Sequence, residues 1–412
     1  MDAAERALTT ALVEGTLRNR SWLDFVLSKS CNHSLESLPP LIQQVLRMGA
    51  FQLLLHDRQA DAVVVSDSVD LARRCGHEGT AALVNAVLRA VARGWEQVAP
   101  PDFSTDPVAH ISLRYSHPEW LVRRWVERFG VDETLLMAKV NSETPDVTLR
   151  VNPLRTDAET MARELREEGF CIEQGSAAPG ALRVRGSAHL VETAAYRRGD
   201  LSIQGEGSMI AGLLVGPPPG ARVVDMCAGT GGKTTHLAQI MGGQGQILAC
   251  DTDGRRLAVL QTECARLGIG IVQPRQQDAR TLAPTQDFDC CLVDAPCSGT
   301  GSLRRRPDIR WRRKEKDIAS LAQLQRELLI AAAGLVCTGG WVVYCTCSLE
   351  PEENEQAAEE LLSARPEFRA VDCRPFLPML GPQDFVMDGK AVLLLPHRYG
   401  TDGMFMMRMQ RT

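Results

Sequence analysis

No apolar run in this chain of 412 residues approaches the roughly 20 that a bilayer crossing demands. Runs such as Ala331 to Val336 or Ala391 to Leu395 stop far short, so no membrane attachment is expected. The start, Met1-Asp2-Ala3-Ala4-Glu5-Arg6, lacks the basic opening and apolar core of a secretory leader, and the expected compartment is the cytoplasm. There is no C-x-x-C pair and no histidine cluster, which leaves a metal site without support. There is no large charge of one sign either. At a net charge of -5 the molecule as a whole is no electrostatic trap for nucleic acid, and any affinity for RNA has to come from local basic patches. Internal repeats and low-complexity segments are also absent. Cysteine is plentiful, but its count of 13 is odd. Several of these residues, Cys250, Cys290 and Cys291 among them, sit in apolar strand-like runs. A reduced compartment and core packing explain them better than a disulfide framework.

Hydrophobic residues make up 44% and charged residues 24%, the proportions of a globular protein long enough for two or three domains. From Ala4 to Ala92 apolar residues recur at helical spacing, as in Leu41, Val45, Leu46, Ala50, Leu53 and Leu54, which predicts an all-α bundle over residues 1–100. Pro100, Pro101 and Pro107 break that pattern. A small α+β section follows over 101–216, with a helix at Pro118 to Phe129, a strand at Val147 to Val151 and a helix from Asp157 to Glu168. Pro217-Pro218-Pro219-Gly220 closes it with a turn. Over 217–412 strands alternate with helices: Ala221 to Met226, Lys233 to Met241, Gln246 to Asp251, Arg255 to Leu267, Phe288 to Val293, Lys316 to Val336 and Trp341 to Cys347. That alternation predicts a parallel sheet covered on both faces, with ligands at the carboxyl ends of its strands.

The first of those strand ends is glycine-rich. Val223-Val224-Asp225-Met226 runs into Cys227-Ala228-Gly229-Thr230-Gly231-Gly232-Lys233, where glycines admit a close ligand and the next helix offers free N–H groups. A triphosphate-binding P-loop is the obvious rival, since Gly232-Lys233-Thr234-Thr235 mimics its second half, but Cys227 stands where its first glycine belongs. Asp251 ends the next strand, where a carboxylate suits a ribose diol, and Asp278 follows Ile271 to Gln277. Two strand-end acids favour a nucleoside cofactor over a triphosphate they would repel, although each alone also reads as a helix cap.

Two later strands each deliver a cysteine to the same edge. One ends in Asp294-Ala295-Pro296-Cys297-Ser298-Gly299-Thr300-Gly301, the other in Cys345-Thr346-Cys347-Ser348. For a single cysteine, packing is the ordinary use. Cys347 stands apart because Ser348, Pro351 and Glu352-Glu353 mark a helix start directly after it, and a helix N-terminus favours the thiolate; the glutamates oppose this.

At these residues the sequence resembles the RNA cytosine-5 methyltransferases of the Sun/Fmu type, the bacterial small-subunit ribosomal RNA group, over nearly the whole chain. The most specific part of the likeness is Asp294-Ala295-Pro296-Cys297 paired with Thr346-Cys347-Ser348. The resemblance implies S-adenosyl-L-methionine as cofactor, ribosomal RNA as substrate, no metal and no obligate protein partner. It implies that Cys347 is the nucleophile, that Cys297 promotes product release and that Asp294 contacts the base. C5 of cytosine is a poor nucleophile, and adding a thiolate at C6 turns the ring into an enamine whose C5 is a good one. The implied cofactor pocket is Cys227, Ala228, Gly229, Thr230, Gly231, Gly232 and Lys233 with Asp251, Asp278 and Asp294. Gly301-Ser302-Leu303-Arg304-Arg305-Arg306-Pro307-Asp308, with Trp311 beyond, is similar to the substrate-facing segment, which makes Arg304, Arg305 and Arg306 candidate RNA contacts. Leu395-Pro396 with Thr401-Asp402-Gly403-Met404-Phe405 is like the closing strands. Leu46-Arg47-Met48-Gly49-Ala50-Phe51-Gln52-Leu53 and Val84-Asn85-Ala86-Val87-Leu88-Arg89 resemble a NusB-like RNA-binding bundle, and Thr148-Leu149-Arg150-Val151-Asn152-Pro153 its link to a Rossmann-like catalytic domain.

Two positions depart from the pattern. Gly229-Thr230 stands where Ala-Pro is usual, with a looser loop and weaker or altered cofactor binding as the expected cost. Gly205, in Ser202-Ile203-Gln204-Gly205-Glu206-Gly207-Ser208, replaces a common aspartate, with a less pre-organised site as the expected result. These departures motivate the competing reading of a catalytically weak or inactive RNA-binding or ribosome assembly factor of the same fold.

Overall fold

A computed structural model describes residues 3–56, 59–185 and 189–412. Met1 and Asp2, which open the start considered above, lie outside the described residues. The chain forms two compact units: one runs to Thr144 and includes Arg306–Arg312, and the other holds Pro145–Arg305 and Arg313–Thr412.

The first unit is helical: α1 (Ala3–Arg18), α2 (Arg20–Ser30), α3 (Pro40–Leu55), α4 (Asp61–Cys75), α5 (Glu78–Gly94), α6 (Pro107–Arg114), α7 (Glu119–Phe129) and α8 (Val131–Asn141). Local sequence explains the ends. Pro40 opens α3, where a missing N–H costs nothing, and Asp106 caps α6 by accepting from the N–H of Ala109 at 2.9 Å. The core gathers Leu23, Val26 and Leu27 with Ile42, Val45, Leu46 and Ala50 of α3 and Val84, Leu88 and Val91 of α5. Leu41, counted in the apolar stripe, is instead 58% exposed, because the stripe of α3 starts one residue later at Ile42.

One buried cation organises the ends of three helices. The guanidinium of Arg310, 2% exposed, donates to the carbonyls of Arg18 at 2.8 Å, Tyr115 at 3.1 Å, Ser116 at 2.9 Å and Asn141 at 2.5 Å. These carbonyls lie at the C-termini of α1, α6 and α8, the negative ends of their dipoles, so backbone takes the place of a carboxylate. Burial, with Arg18 adding to it, lowers the pKa of Arg310 to about 9. Beside it the indole N–H of Trp311 donates to the Leu17 carbonyl at 2.7 Å.

The second unit contains two sheets. In the smaller, β1 (Val147–Val151), β2 (Cys171–Gln174), β3 (Ala181–Arg185) and β4 (Leu201–Ile203) pair antiparallel in the order β2-β3-β1-β4. The helix Ala158–Glu167 covers it through Met161, Ala162 and Leu165. The larger, Rossmann-like sheet comprises β5 (Arg222–Asp225), β6 (Gln246–Asp251), β7 (Val272–Gln276), β8 (Phe288–Asp294), β9 (Val336–Thr346), β10 (Phe368–Ala370), β11 (Phe385–Val386), β12 (Ala391–Leu394) and β13 (Met404–Arg411). Its order is β7-β6-β5-β8-β9-β13-β12-β11, and β10 pairs with the far part of β13. β5 to β9 run parallel, whereas β13 is antiparallel to β9. β9 starts at Val336, earlier than the expected Trp341, and an irregular register beside Phe288 absorbs the extra residues. The chain steps outward one way from β5 to β6 and β7 and the other way through β8 and β9. That reversal opens a crevice at the carboxyl ends of β5 and β8. Among the described residues no helix is long and apolar enough to cross a membrane.

Replacing Arg310 by Met removes a donor from each of four backbone carbonyls, of which that of Tyr115 keeps a second side-chain donor, Ser142 Oγ at 3.0 Å, and is expected to cost the helical unit about 3 kcal/mol. Urea unfolding followed by tryptophan fluorescence reads this unit, because Trp22, Trp95, Trp120, Trp125 and Trp311 all belong to it. An unchanged midpoint in R310M would show that the guanidinium is dispensable.

Candidate functional site

Strands β5, β6, β8 and β9 are parallel, so their carboxyl ends share one edge, and register decides which residues meet there. Asp294 of β8 lies opposite Cys345 of β9. The two chains stay together past the strand ends: the Ala295 N–H donates to the Cys345 carbonyl at 3.0 Å, and the Gly301 N–H to the Cys347 carbonyl at 2.9 Å. Gly301 is required to be glycine, because a Cβ there would stand 2.2 Å from the Gly403 carbonyl oxygen. The outcome is a direct meeting of Cys297 Sγ and Cys347 Sγ at 3.3 Å. Cys250, Cys290 and Cys291, by contrast, are buried in the sheet as expected.

That sulfur contact is the largest influence on both thiols. With Cys297 donating, it holds Cys347 below the usual thiol range against burial and Asp294, with Lys233 assisting. At Cys297 the same contact and burial act together and push the thiol well above its usual range. The helix-terminus explanation for Cys347 is corrected. A short 3-10 turn, Pro351–Glu353, follows it, and the next α-helix begins only at Glu355. The thiolate is favoured by its neighbouring thiol and lysine.

Lys233, in the first turn of the helix Gly232–Ile240, reaches Asp294 Oδ2 at 2.7 Å. Burial works against its charge, but Asp294, with Cys345, outweighs it and keeps the ammonium above the ordinary lysine range. Cys345 Sγ lies 3.5 Å from the other carboxylate oxygen of Asp294. The glycine loop is anchored from both sides. Asp225 accepts from Thr234 Oγ1 at 2.7 Å and from the Cys227 N–H at 3.3 Å, and Asp251 accepts from the Gly229 N–H at 2.9 Å. Gly229 has φ +54 and Gly231 φ +91, left-handed conformations that glycine adopts without strain; a Cβ on Gly229 would meet nothing within 4 Å. Ala228 and Thr230 complete the turn between them.

The remaining expected residues are more dispersed. Asp278 follows β7, and the neighbouring Gln277 N–H bonds to the Asp251 carbonyl at 3.1 Å. Its carboxylate is held below the usual range by Arg280, which binds it at 2.6 Å. Arg304 donates to the Gly400 carbonyl at 3.0 Å and Arg305 pairs with Asp402 at 3.2 Å. Arg306 is exposed and groups with the helical unit. Trp311 is spent on the Leu17 carbonyl and serves that unit's packing. At Gly205 a Cβ would come within 3.4 Å of Arg305 Nη2 and 3.6 Å of Asp402 Oδ2, so the place of the missing carboxylate faces an arginine that Asp402 already pairs.

Three acids were missed or misjudged in the sequence. Asp402 is raised by burial, against the pull of Arg305 and Lys233. Asp225 is pushed up to about 7, chiefly by burial and against its bond from Thr234. Glu353, expected only to oppose the thiolate, is fully buried and accepts from the N–H of Ser298 at 2.8 Å, the hydroxyl of Ser348 at 2.5 Å, Gln325 Nε2 at 3.0 Å and the Ser298 hydroxyl. The recurrence of serine directly after each cysteine was the available signal. Among the described residues no group of three or more His, Cys, Asp or Glu is arranged to hold a metal.

Comparison with known proteins gives three matches along the chain: the NusB family over residues 1–93, an RsmF/B-like ferredoxin-like domain over 117–190, and the family described as 16S rRNA methyltransferase RsmB/F over 213–410. A probable ribosomal RNA small subunit methyltransferase B of Bacillus subtilis is 34% identical over 411 residues, covering 98% of this chain and 90% of the relative. The ribosomal RNA small subunit methyltransferase B of Citrobacter koseri is 32% identical, covering 88% of this chain and 83% of its own. The crystal structure of PH0851 superposes with a TM-score of 0.85 at 29% identity, covering 100% of this chain and 91% of that one. A methyltransferase homologue from Pyrococcus horikoshii follows at 0.62 and 27% identity, covering 74% of this chain and 99% of that one.

Asp225 generates a pH test. A carboxyl raised from 3.8 to about 7 contributes stability that is full below about pH 4 and lost as pH rises through 7. Asp225→Asn keeps an acceptor for Thr234 and Cys227 but removes the titration. The difference between parental and D225N urea midpoints is expected to change across that window and to be flat above it. A difference independent of pH would mean that Asp225 ionises as in water.

Proposed function

Because the chain belongs to the 16S rRNA methyltransferase RsmB/F family, we propose that it methylates C5 of a cytosine in small-subunit ribosomal RNA, with S-adenosyl-L-methionine as donor and Cys347 as covalent nucleophile. The observation that carries this reading is the thiol pair at 3.3 Å, beside the Lys233–Asp294 ion pair and on the same sheet edge as the glycine loop. Two thiols with opposed shifts suit two roles, one attacking and one remaining protonated.

The residues at the ends of β5 and β6 fit the cofactor. Gly229 leaves open space where a side chain would stand, and Asp251 lies where a ribose diol finds a carboxylate. Cys227 to Lys233, Asp251, Asp278 and Asp294 form the pocket. The cofactor, when bound, supplies a methyl group on a sulfonium. Everything else falls to the chain. Cys347 adds to C6 of the cytosine, and the new S–C6 bond moves the C5=C6 pair onto C5, the carbon that takes the methyl. Asp294, steadied by Lys233, contacts the base during addition. Transfer of the C5 proton to solvent water then restores the C5=C6 bond and expels Cys347 as thiolate, and Cys297 promotes this release. Arg304, Arg305 and Arg306 are assigned to the RNA backbone. In this reading residues 1–100 and 101–216 hold RNA, 217–412 perform the chemistry, and the enzyme works in the cytoplasm without an obligate protein partner.

Cys347→Ala is expected to lower methyl transfer to in vitro transcribed small-subunit RNA by roughly 10³-fold or more. Cys297→Ala is expected to accumulate a covalent RNA adduct on a denaturing gel. Calorimetric titration should show binding of S-adenosylmethionine, and bisulfite sequencing of RNA from cells with and without the gene should locate the cytosine. Full activity in C347A would sink the covalent mechanism, and no cofactor binding at millimolar concentration would favour a non-catalytic assembly factor.

A further inference from the structure

Ser298 and Ser348 each follow one of the two cysteines, and both are committed to one carboxylate. Glu353 Oε1 accepts from the Ser298 N–H at 2.8 Å and from Gln325 Nε2 at 3.0 Å. Its Oε2 accepts the Ser348 hydroxyl at 2.5 Å and the Ser298 hydroxyl, and the two hydroxyl oxygens are 3.0 Å apart. Gln325 also donates to the Pro296 carbonyl at 2.9 Å, so it extends the same anchorage to the residue before Cys297. The backbone of the second turn is held as well, through Asn354 Nδ2 to the Ser348 carbonyl at 3.0 Å.

A buried carboxylate that served packing alone would be a poor choice, since removing its charge from water is costly and an amide or an apolar side chain fills the same volume. Here its donors come from the two cysteine-bearing turns and from the glutamine that braces one of them. We propose that Glu353 is a positioning residue for methyl transfer: it ties the Cys297–Ser298 and Cys347–Ser348 turns to one carboxylate and so sets the sulfur–sulfur contact. Its charge acts in the same direction as its geometry. It opposes ionisation of Cys297, which leaves that thiol as the donor and Cys347 as the acceptor of the shared proton. The proposal rests on the function given above for its consequence in turnover, but the thiol pair can be read without turnover.

The test uses the full-length protein and Glu353→Gln, which keeps the size of the side chain and replaces one acceptor by a donor facing the serines. Methyl transfer to transcribed small-subunit RNA is expected to lose roughly 10²-fold in kcat, the effect of misplacing a reacting group by about an ångström, while the cofactor's affinity stays within about twofold. Alkylation by iodoacetamide, followed on the Cys347 peptide by mass spectrometry, is expected to shift its midpoint to higher pH. An unchanged kcat, or a lower kcat with an unmoved Cys347 alkylation profile, would overturn the positioning role. If E353Q fails to fold by circular dichroism, the Ser298→Ala, Ser348→Ala double variant removes the two hydroxyl bonds and is judged by the same two readouts. Should Cys347→Ala retain activity, the covalent role of Cys347 fails by itself, and the alkylation profile still decides whether Glu353 governs the thiol pair.

Discussion

The register between β8 and β9 is the constraint on which the rest of the site depends. Both strands are buried on both faces, with Cys290, Cys291, Leu292 and Val293 on one and Val342, Val343 and Tyr344 on the other. A slip of one residue would turn each of these side chains to the opposite face. With Asp294 fixed opposite Cys345, the turns that follow deliver Cys297 and Cys347 to the same point, although 50 residues separate them in sequence. Apolar burial along the sheet thus decides the geometry of two polar atoms beyond its end.

Charge at that edge is balanced by few cations. Asp225, Asp251 and Asp294 end β5, β6 and β8, and Asp402 adds a fourth acid opposite Arg305. Such surroundings oppose a thiolate, and Asp294 does so at Cys347. Two features outweigh it: the thiol of Cys297 donates directly, and Lys233 stays charged because Asp294 pairs with it. The same aspartate therefore raises the cost of the thiolate by its own charge and lowers it by holding the lysine. Asp225, pushed up to about 7 by burial, carries less than a full negative charge at neutral pH.

Much of this was legible in the sequence, and the reasons are physical. The apolar stretches Val223-Val224, Ile247 to Cys250 and Cys290 to Val293 each stop at an aspartate, and the glycine loop and the Cys297 turn follow two of those stops, so motif and strand end coincide. The departures arose where a tertiary partner outranked local pattern. Leu41 matches a helical stripe but lies one position off its face. Pro351-Glu352-Glu353 carries the marks of a helix start and forms a 3-10 turn, because Glu353 is drawn inward to two serines far from it in sequence or across the turn. Arg310 looks like one more arginine in a basic segment. Its acceptors are backbone carbonyls at three helix ends, which no side-chain pattern records.

The covalent role proposed for Cys347 calls for a fixed backbone and a sulfur that can move. Thr346 and Ser348 on either side of Cys347 are fully buried and hydrogen-bonded, Thr346 to Asn354 at 2.6 Å and Ser348 to Glu353, while Cys347 itself is only partly buried. The first turn is held in the same way: Arg313 donates to the Ser298 carbonyl at 3.1 Å and the Cys297 carbonyl at 3.2 Å, and Cys297 too is only partly buried. Rigidity is thus assigned to the neighbours and not to the reacting atoms, which leaves rotation about each cysteine's own side-chain bond as the cheapest motion. In the proposed mechanism a fully enclosed sulfur would have to break contacts on every side to reach a substrate, whereas a partly buried one on a turn fixed by its neighbours' hydrogen bonds can exchange its partner sulfur for a carbon at lower cost.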